Sequence, residues 1–536
     1  MELKRFRSLL ALLLLPAALF ACGGEQAVPE ASVADASPRA GGTLVIGSIS
    51  DVDSWNEYIS QQSFTHFLLH RVYLRLAEPK PGPLDHPESF APSLAETWVP
   101  SEDGLSWTFR LREAVWSDGE PIDADDVRFT WMAQTSEHVP WIAAASKAQI
   151  VDVEVLDDRT VRFHFERAYP YQFVDAVEGG ILPQHVFGKV PFEQWKDHDW
   201  LTANVASGPF IPAVHRPGEQ IELVRNANYY EPGKPYLDRV VVRVVPDISN
   251  LTTQLRSGEI DYLENIPHWD AESLGSDGSL EIVPFEYANY DFIGWNGARA
   301  PFNDAEMRRA LTMAIDRQAL VDELIAGHGT VGRGPAPSAW WGADPGLDPL
   351  PYDPETARGI LRAKGYSTAE GETGETLHMT LLTNAGNRVR EDALVKIQAH
   401  LARVGVEVSI QPLEMRTMRG QVVSGDYDAY LGGWVFSGKV DLQGLFDSAA
   451  APPNGMNIVS YANPEVDELF AQLAQADSWE SMTPILREVQ AKIAQDQPYS
   501  FLYEAQRIAA HAPTVAGVRI DVPSDPLNNL ADYWIQ

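Results

Sequence analysis

His66 and His70 stand four residues apart, a spacing that on a helix turns both imidazoles to one face, where they can chelate a metal. The zinc-protease pattern needs a glutamate directly after the first histidine, and Phe67 stands there. Both are therefore expected to be ordinary solvent-facing or core histidines, with no metal or cofactor. Gly433, Gly438 and Lys439 have the spacing of a phosphate-cradling loop. Val440, however, replaces the hydroxyl residue that would hold magnesium, and Trp434, Val435 and Phe436 fill a stretch that should offer bare amides. Nucleotide binding is not expected. There is no Gly-x-Ser-x-Gly elbow, and the single Cys22 leaves no disulfide, Cys-x-x-Cys pair or cysteine-built metal cluster. With no nucleophile and base to assemble, catalysis is not expected.

What remains is suited to binding. Trp434 can stack on a peptide bond, a ring or a sugar, with Ser437 and Asp441 close behind it in sequence. Asp53 and Trp55 sit in the polar and aromatic loop after the first credible strand, Thr43 to Ile49, as candidates for either ligand contact or ordinary loop packing. Trp340 and Trp341 lie in a loop, so they must cover either a ligand or a neighbouring lobe. Asn296 follows an aromatic strand, Tyr290 to Asn296, which leads into a periodic helix around Met307, Leu311 and Ile315.

The elements that would position these residues alternate. From Leu94 to Met132 the chain reads as strand, turn, strand, turn and helix: Trp107, Phe109 and Leu111 share one strand face, and Asp103-Gly104 and Asp118-Gly119 turn the chain. Asp123 is placed to cap the next helix, with Asp125 and Asp126 at the positive end of its dipole. Ile150 to Leu156 and Thr160 to Phe165 form a hairpin. Later come a Val-rich strand at Leu237 to Val245, a helix closed by Gly258, and an α/β alternation from Pro354 to Pro412.

At 536 residues the chain predicts two or three domains, and its 45% hydrophobic content is ample for their cores. A net charge of −34 opposes binding to nucleic acid or to anionic lipid headgroups. Lys4, Arg5 and Arg7 precede an apolar run from Leu9 to Phe20, the form of a secretory signal. Leu19-Phe20-Ala21-Cys22 resembles a bacterial lipobox, which implies cleavage before Cys22 and a lipid anchor on it. Gly23 to Gly42 is poor in large apolar residues and reads as a tether.

Several phrases are specific in wording: Leu94-Ala-Glu-x-Trp, Asp103-Gly-Leu-x-Trp-x-Phe-x-Leu-Arg, Trp116-x-Asp-Gly-Glu-Pro, Asp125-Asp-Val-x-Phe-Thr-Trp and, some two hundred residues on, Asn296 with Pro301-Phe302, Arg308 and Ile315-Asp316-Arg317. Together they closely resemble the peptide and nickel class of solute-binding proteins, the receptors of ABC importers. The resemblance implies an α/β fold of two lobes, periplasmic-binding-protein-like of class II, with an additional inserted α+β domain. It divides the chain into a signal peptide (1–21), a lipidated tether (22–42), lobe I (43–57, 205–290 and 500–536), an inserted domain (58–204) and lobe II (291–499). It further implies a monomer anchored on the outer side of a bacterial cell membrane, delivering a small solute, peptide above all, to a permease and its ATPase. Oligosaccharides and nickel complexes are alternatives within the class; a secreted hydrolase and an adhesion or chaperone module are alternatives outside it. Many peptide-binding members carry an aspartate three positions after the tryptophan to accept the ligand's ammonium group. Ser437 stands there, and a hydroxyl cannot neutralise a cation.

Overall fold

A computed structural model describes residues 37–80, 89–276, 278–436, 440–453, 455–523 and 525–536. Cys22, the signal and most of the tether, and Ser437 lie outside them. The described residues build two sheets that carry the molecule and a third that is added to the first.

Thr43–Ser48 is central to a seven-stranded sheet because it pairs in parallel with Arg239–Val244 on one side and Tyr262–Leu263 on the other. Parallel strands need cover on both faces: Leu44, Ile46, Val240 and Val242 are fully buried on one, and on the other Val45 packs against the cluster that holds Leu251 and Leu255. The connection from the second of these strands to the third is the helix Ile248–Ser257. Asp247 caps it by accepting from the Asn250 amide at 2.9 Å, and Gly258 ends it in the left-handed conformation at φ 76°. Antiparallel strands complete the sheet at both edges, with Arg507–His511 and Glu281–Phe285 at one of them.

The second sheet has six strands and a parallel portion of its own, in which Leu377–Asn384 lies between Val406–Leu413 and Ala429–Val435. Separate apolar clusters cover its two faces. Tyr499–Ala505, all of it but Tyr499 expected in lobe I, is hydrogen-bonded into this second sheet beside Asn289–Trp295. Its alternating aromatics, Tyr499, Phe501 and Tyr503, complete that sheet's cores. The chain returns to the first sheet only at Arg507–His511. The two-lobed α/β fold is as expected.

The third sheet is antiparallel: Ala95–Pro100, Ser106–Leu111, Thr160–Phe165 and Ile150–Asp157, in that order. Its core is continuous with that of the seven-stranded sheet, so the added domain and the first lobe share one apolar interior. Phe109 and Leu111 are fully buried as their alternation requires. Asp123 caps the helix Ala124–Gln134 through the amides of Asp125 and Asp126. Asp126 departs from expectation. Instead of meeting the helix dipole at the surface, its carboxylate is buried, returns a bond to the Asp123 amide, and accepts from Trp116 Nε1 at 3.0 Å and the Gln184 amide at 2.8 Å. Burial raises its pKa to about 6 against the pull of those donors. Among the described residues no helix is long and apolar enough to cross a membrane.

Asp126→Ala should strip one cap and orphan two buried donors, so a loss of about 2–4 kcal/mol is expected. A clear fall in the urea midpoint checks it; an unchanged midpoint would show that the carboxylate holds nothing together.

Candidate functional site

The two carrying sheets are joined at two neighbouring crossings. Glu281–Phe285 leaves the first sheet and Asn289–Trp295 enters the second, while Tyr499–Ala505 leaves the second and Arg507–His511 enters the first. Asn289 stitches the crossings: its Nδ2 donates to the Tyr287 carbonyl at 2.9 Å and to the Ala505 carbonyl at 2.7 Å. Gln506 Nε2 donates to Glu286 at 2.8 Å beside them.

In open α/β sheets the crevice for a ligand lies beyond the carboxyl ends of the parallel strands. Here those ends lead into Ile49 and Ser50, into Glu264 to Trp269, and, on the second sheet, into the start of the helix Arg388–Ala402. A cavity of about 630 Å³ lies among them, walled by Ser48 to Ser50, Gln62, Glu264 to Trp269 and Arg507, with Val389 contributed by the second lobe. Trp269 is 49% exposed at its edge, and the Arg388 guanidinium approaches its ring to 5.2 Å across the gap. Glu264 is the unusual group in the wall. Its Oε2 is buried with no hydrogen-bond partner among the described residues. Burial raises its carboxyl to about 7, with the charge of Arg507 opposing the rise. Sequence reasoning passed over Glu264 and Trp269; the signal was the polar and aromatic run that follows a short buried strand.

The residues singled out from sequence are not gathered at this cavity. Asp53 is spent on its own loop, accepting from Ser60 Oγ at 2.6 Å, Thr65 Oγ1 at 2.9 Å and the Gln61 amide at 2.8 Å. Burial works against ionisation there, but those donors hold the carboxyl below the ordinary range. Trp55 is buried, with Nε1 3.3 Å from His215 Nδ1, and His215 in turn meets Asp51 at 2.9 Å. Asn296 is buried and donates to the carbonyls of Gly425 and Tyr427, bracing the turn before Ala429–Val435. Trp340 is buried in the second lobe, and Trp341 packs edge-on against Trp479 at 4.2 Å and near Tyr171 of the added domain at 5.7 Å. Trp341 thus faces the added domain, while Trp340 packs within its own lobe. Asp441 is exposed and caps a short helix by accepting from the Gly444 amide at 2.8 Å.

Trp434 is half-buried near the carboxyl end of its strand, parallel to Phe292 at 6.3 Å and with Nε1 3.4 Å from Tyr499 Oη. Gly433 beside it has a reason unrelated to phosphate. A Cβ there would lie 2.1 Å from both Arg390 Nη2 and Asp291 Oδ1. Those two residues form a bidentate pair at 2.8 and 3.2 Å, and Tyr503 adds a bond to Asp291 at 3.1 Å. Gly433→Ala should therefore force this half-buried pair apart and cost about 1–3 kcal/mol. A lowered unfolding midpoint is the expected reading, and a midpoint equal to that of the parent chain would mean the pair can slide aside freely.

Comparison with known proteins agrees with this architecture. The model for bacterial extracellular solute-binding proteins, family 5 (middle region), matches residues 89–456. The oligopeptide-binding protein AppA of Bacillus subtilis is 29% identical over 537 residues, covering 98% of this chain and 97% of AppA. Its structure in complex with a nonapeptide superposes with a TM-score of 0.73, covering 93% of this chain and all of that one. Heme-binding protein A of Haemophilus influenzae is 26% identical over 473 residues, covering 83% of this chain and 84% of its own. The ABC transporter substrate-binding protein CtaP of Listeria monocytogenes, 21% identical, shares the fold with a TM-score of 0.81 over 93% of this chain and all of its own. A cleft in the first lobe that the second reaches at Val389, two lobes joined by two strand crossings, and a family match spanning most of the chain lead to one conclusion: this protein belongs to family 5 of the bacterial extracellular solute-binding proteins.

Proposed function

We propose that the protein is the receptor of an ABC importer, taking a peptide or a similar small polar solute between its lobes and passing it unaltered to a permease and its ATPase. The observation that carries this reading is the cavity. Its wall belongs to the first lobe, and the second reaches it at Val389 and at Arg388 over Trp269, so a solute there gains its contacts with the second lobe only when the lobes are together. A volume of about 630 Å³ lies within the usual range for small-molecule sites. The likeness to AppA over nearly the whole chain supports a peptide above a sugar, a haem or a nickel complex. The receptor acts as a monomer without covalent chemistry, lipidated at Cys22 and held on the outer side of the cell membrane.

Within the cleft, Glu264 takes the part that Ser437 cannot, receiving the ligand's ammonium group. Trp434 and Asp441 belong to the opposing wall. Asp53, Trp55, Asn296 and Trp340 are left out of the site, since packing and hydrogen bonds within the fold already occupy them.

Two outcomes follow. In thermal shift against peptide and sugar panels, a peptide at a hundred times its Kd should add about 2.7 kcal/mol of stability; flat curves across both panels would overturn the receptor reading. Because burial pushes the Glu264 carboxyl up to about 7, an ammonium ligand should bind more tightly as pH rises through that value and the carboxylate forms. The empty protein loses stability over the same rise, since the unfolded chain releases this proton first. Calorimetry from about pH 5.5 to about pH 8 should show the climb in affinity, and Glu264→Gln should flatten it and weaken binding about tenfold at the upper end. A profile that Glu264→Gln leaves unaltered would remove Glu264 as the anchor.

A further inference from the structure

Away from the cleft, the fold adds a third partner to the two histidines that sequence spacing put on one helix face. Glu57, His66 and His70 bring one ligand atom each within 4.8 Å of one another. Glu57 is buried and arrives from the loop that precedes the helix Ser63–Leu69. Its two oxygens have different surroundings: Oε2 accepts from the Gly180 amide at 3.0 Å, and Oε1 lies 3.8 Å from His70 Nε2. On the opposite side of the His70 ring, Nδ1 lies 3.4 Å from Asp525 Oδ2, and Arg71 holds that same carboxylate oxygen at 3.1 Å. A carboxylate behind a histidine fixes the tautomer that leaves the other nitrogen free to bind a metal.

The geometry points to a site for a single zinc ion held by Glu57 Oε1, His66 and His70 Nε2, with a position left for water. Ligand atoms around tetrahedral zinc stand about 3.4 Å apart, given bonds of about 2.0–2.1 Å. From separations of up to 4.8 Å the atoms need to close by up to about 1.4 Å to reach that spacing, by side-chain adjustment on a helix and an adjoining loop. The group that opposes this is Arg75, whose Nη2 contacts both ring nitrogens of His70. Zinc and a guanidinium cannot share one lone pair, so the ion has to displace Arg75 from His70. The site therefore has a built-in competitor, and its affinity is set by the difference between the two occupants.

The test is calorimetric titration of zinc chloride into tag-free, chelator-treated protein, with zinc counted by mass spectrometry after dialysis. One equivalent should bind and raise the melting temperature. His66→Ala, at a half-exposed position, and the isosteric Glu57→Gln should each weaken zinc about 10–100-fold, while Arg75→Gln should tighten it. Circular dichroism on each variant separates a lost ligand from a lost fold. Absence of stoichiometric zinc in the parent chain, or an affinity that either ligand variant leaves unchanged, overturns the site.

Discussion

The structure depends on how few covalent connections its lobes share. Among the described residues the chain passes between the two main sheets only at Phe285 to Asn289 and at Ala505 to Arg507, and the amide of Asn289 binds the two passages to one another. Two adjacent crossings make a narrow axis that resists twist and shear yet offers little resistance to bending. Each lobe has its own cores, so bending need not break packing within either. The free energy of closure must then come from whatever spans the gap, and a solute touching both walls is the natural source.

What separates the site from the scaffold is whether a buried charge has already been answered. Asp291 and Arg390 lie behind the second wall in a bidentate pair, with Tyr503 and Asn384 taking further bonds. That set is complete, so it stiffens the wall and excludes a Cβ at Gly433, and it has little left to offer a guest. Glu264 in the first wall has an oxygen with no partner among the described residues. A carboxylate left this way is costly unless a cation arrives, and that cost makes it selective.

Local structure was legible in the sequence because its causes are local. The Asp123 cap, the Gly258 stop, the alternation through Phe109 and Leu111, and the hairpin Ile150 to Phe165 each follow from residues within a few positions of one another. The site was not legible in the same way. Trp55 and Asp51 converge on His215, some 160 residues later, and Asn296 reaches carbonyls about 130 residues on, so nothing in their own neighbourhoods shows that they are already committed. Asp126 misled for a related reason. A third acidic residue at a helix start reads as surface charge until Trp116 and Gln184 fold over it. All of the strand Tyr499–Ala505 but Tyr499 was placed in the wrong lobe because its apolar run suits either sheet, and only pairing with Asn289–Trp295 decides between them.

The lobes also touch through side chains of their own, and the size of those contacts bears on how a receptor of this kind signals that it is loaded. Tyr171 of the added domain meets Trp479 at 5.0 Å and Trp341 at 5.7 Å, both on the second lobe, and nearer the hinge Arg388 sits over Trp269. Ring pairs contribute about 0.5–1.5 kcal/mol each and an exposed cation–π contact about 0.5–1 kcal/mol. Together they give about 1.5–4 kcal/mol, whereas moving a population from mostly open to mostly closed takes about 5.5 kcal/mol. The aromatic contacts can favour closure without securing it. A ligand that binds the closed form about ten-thousandfold more tightly than the open one supplies that shift by itself. A permease that recognises the closed outline would thus meet it chiefly when the cleft is filled, and strengthening the latch would erase the distinction on which delivery relies.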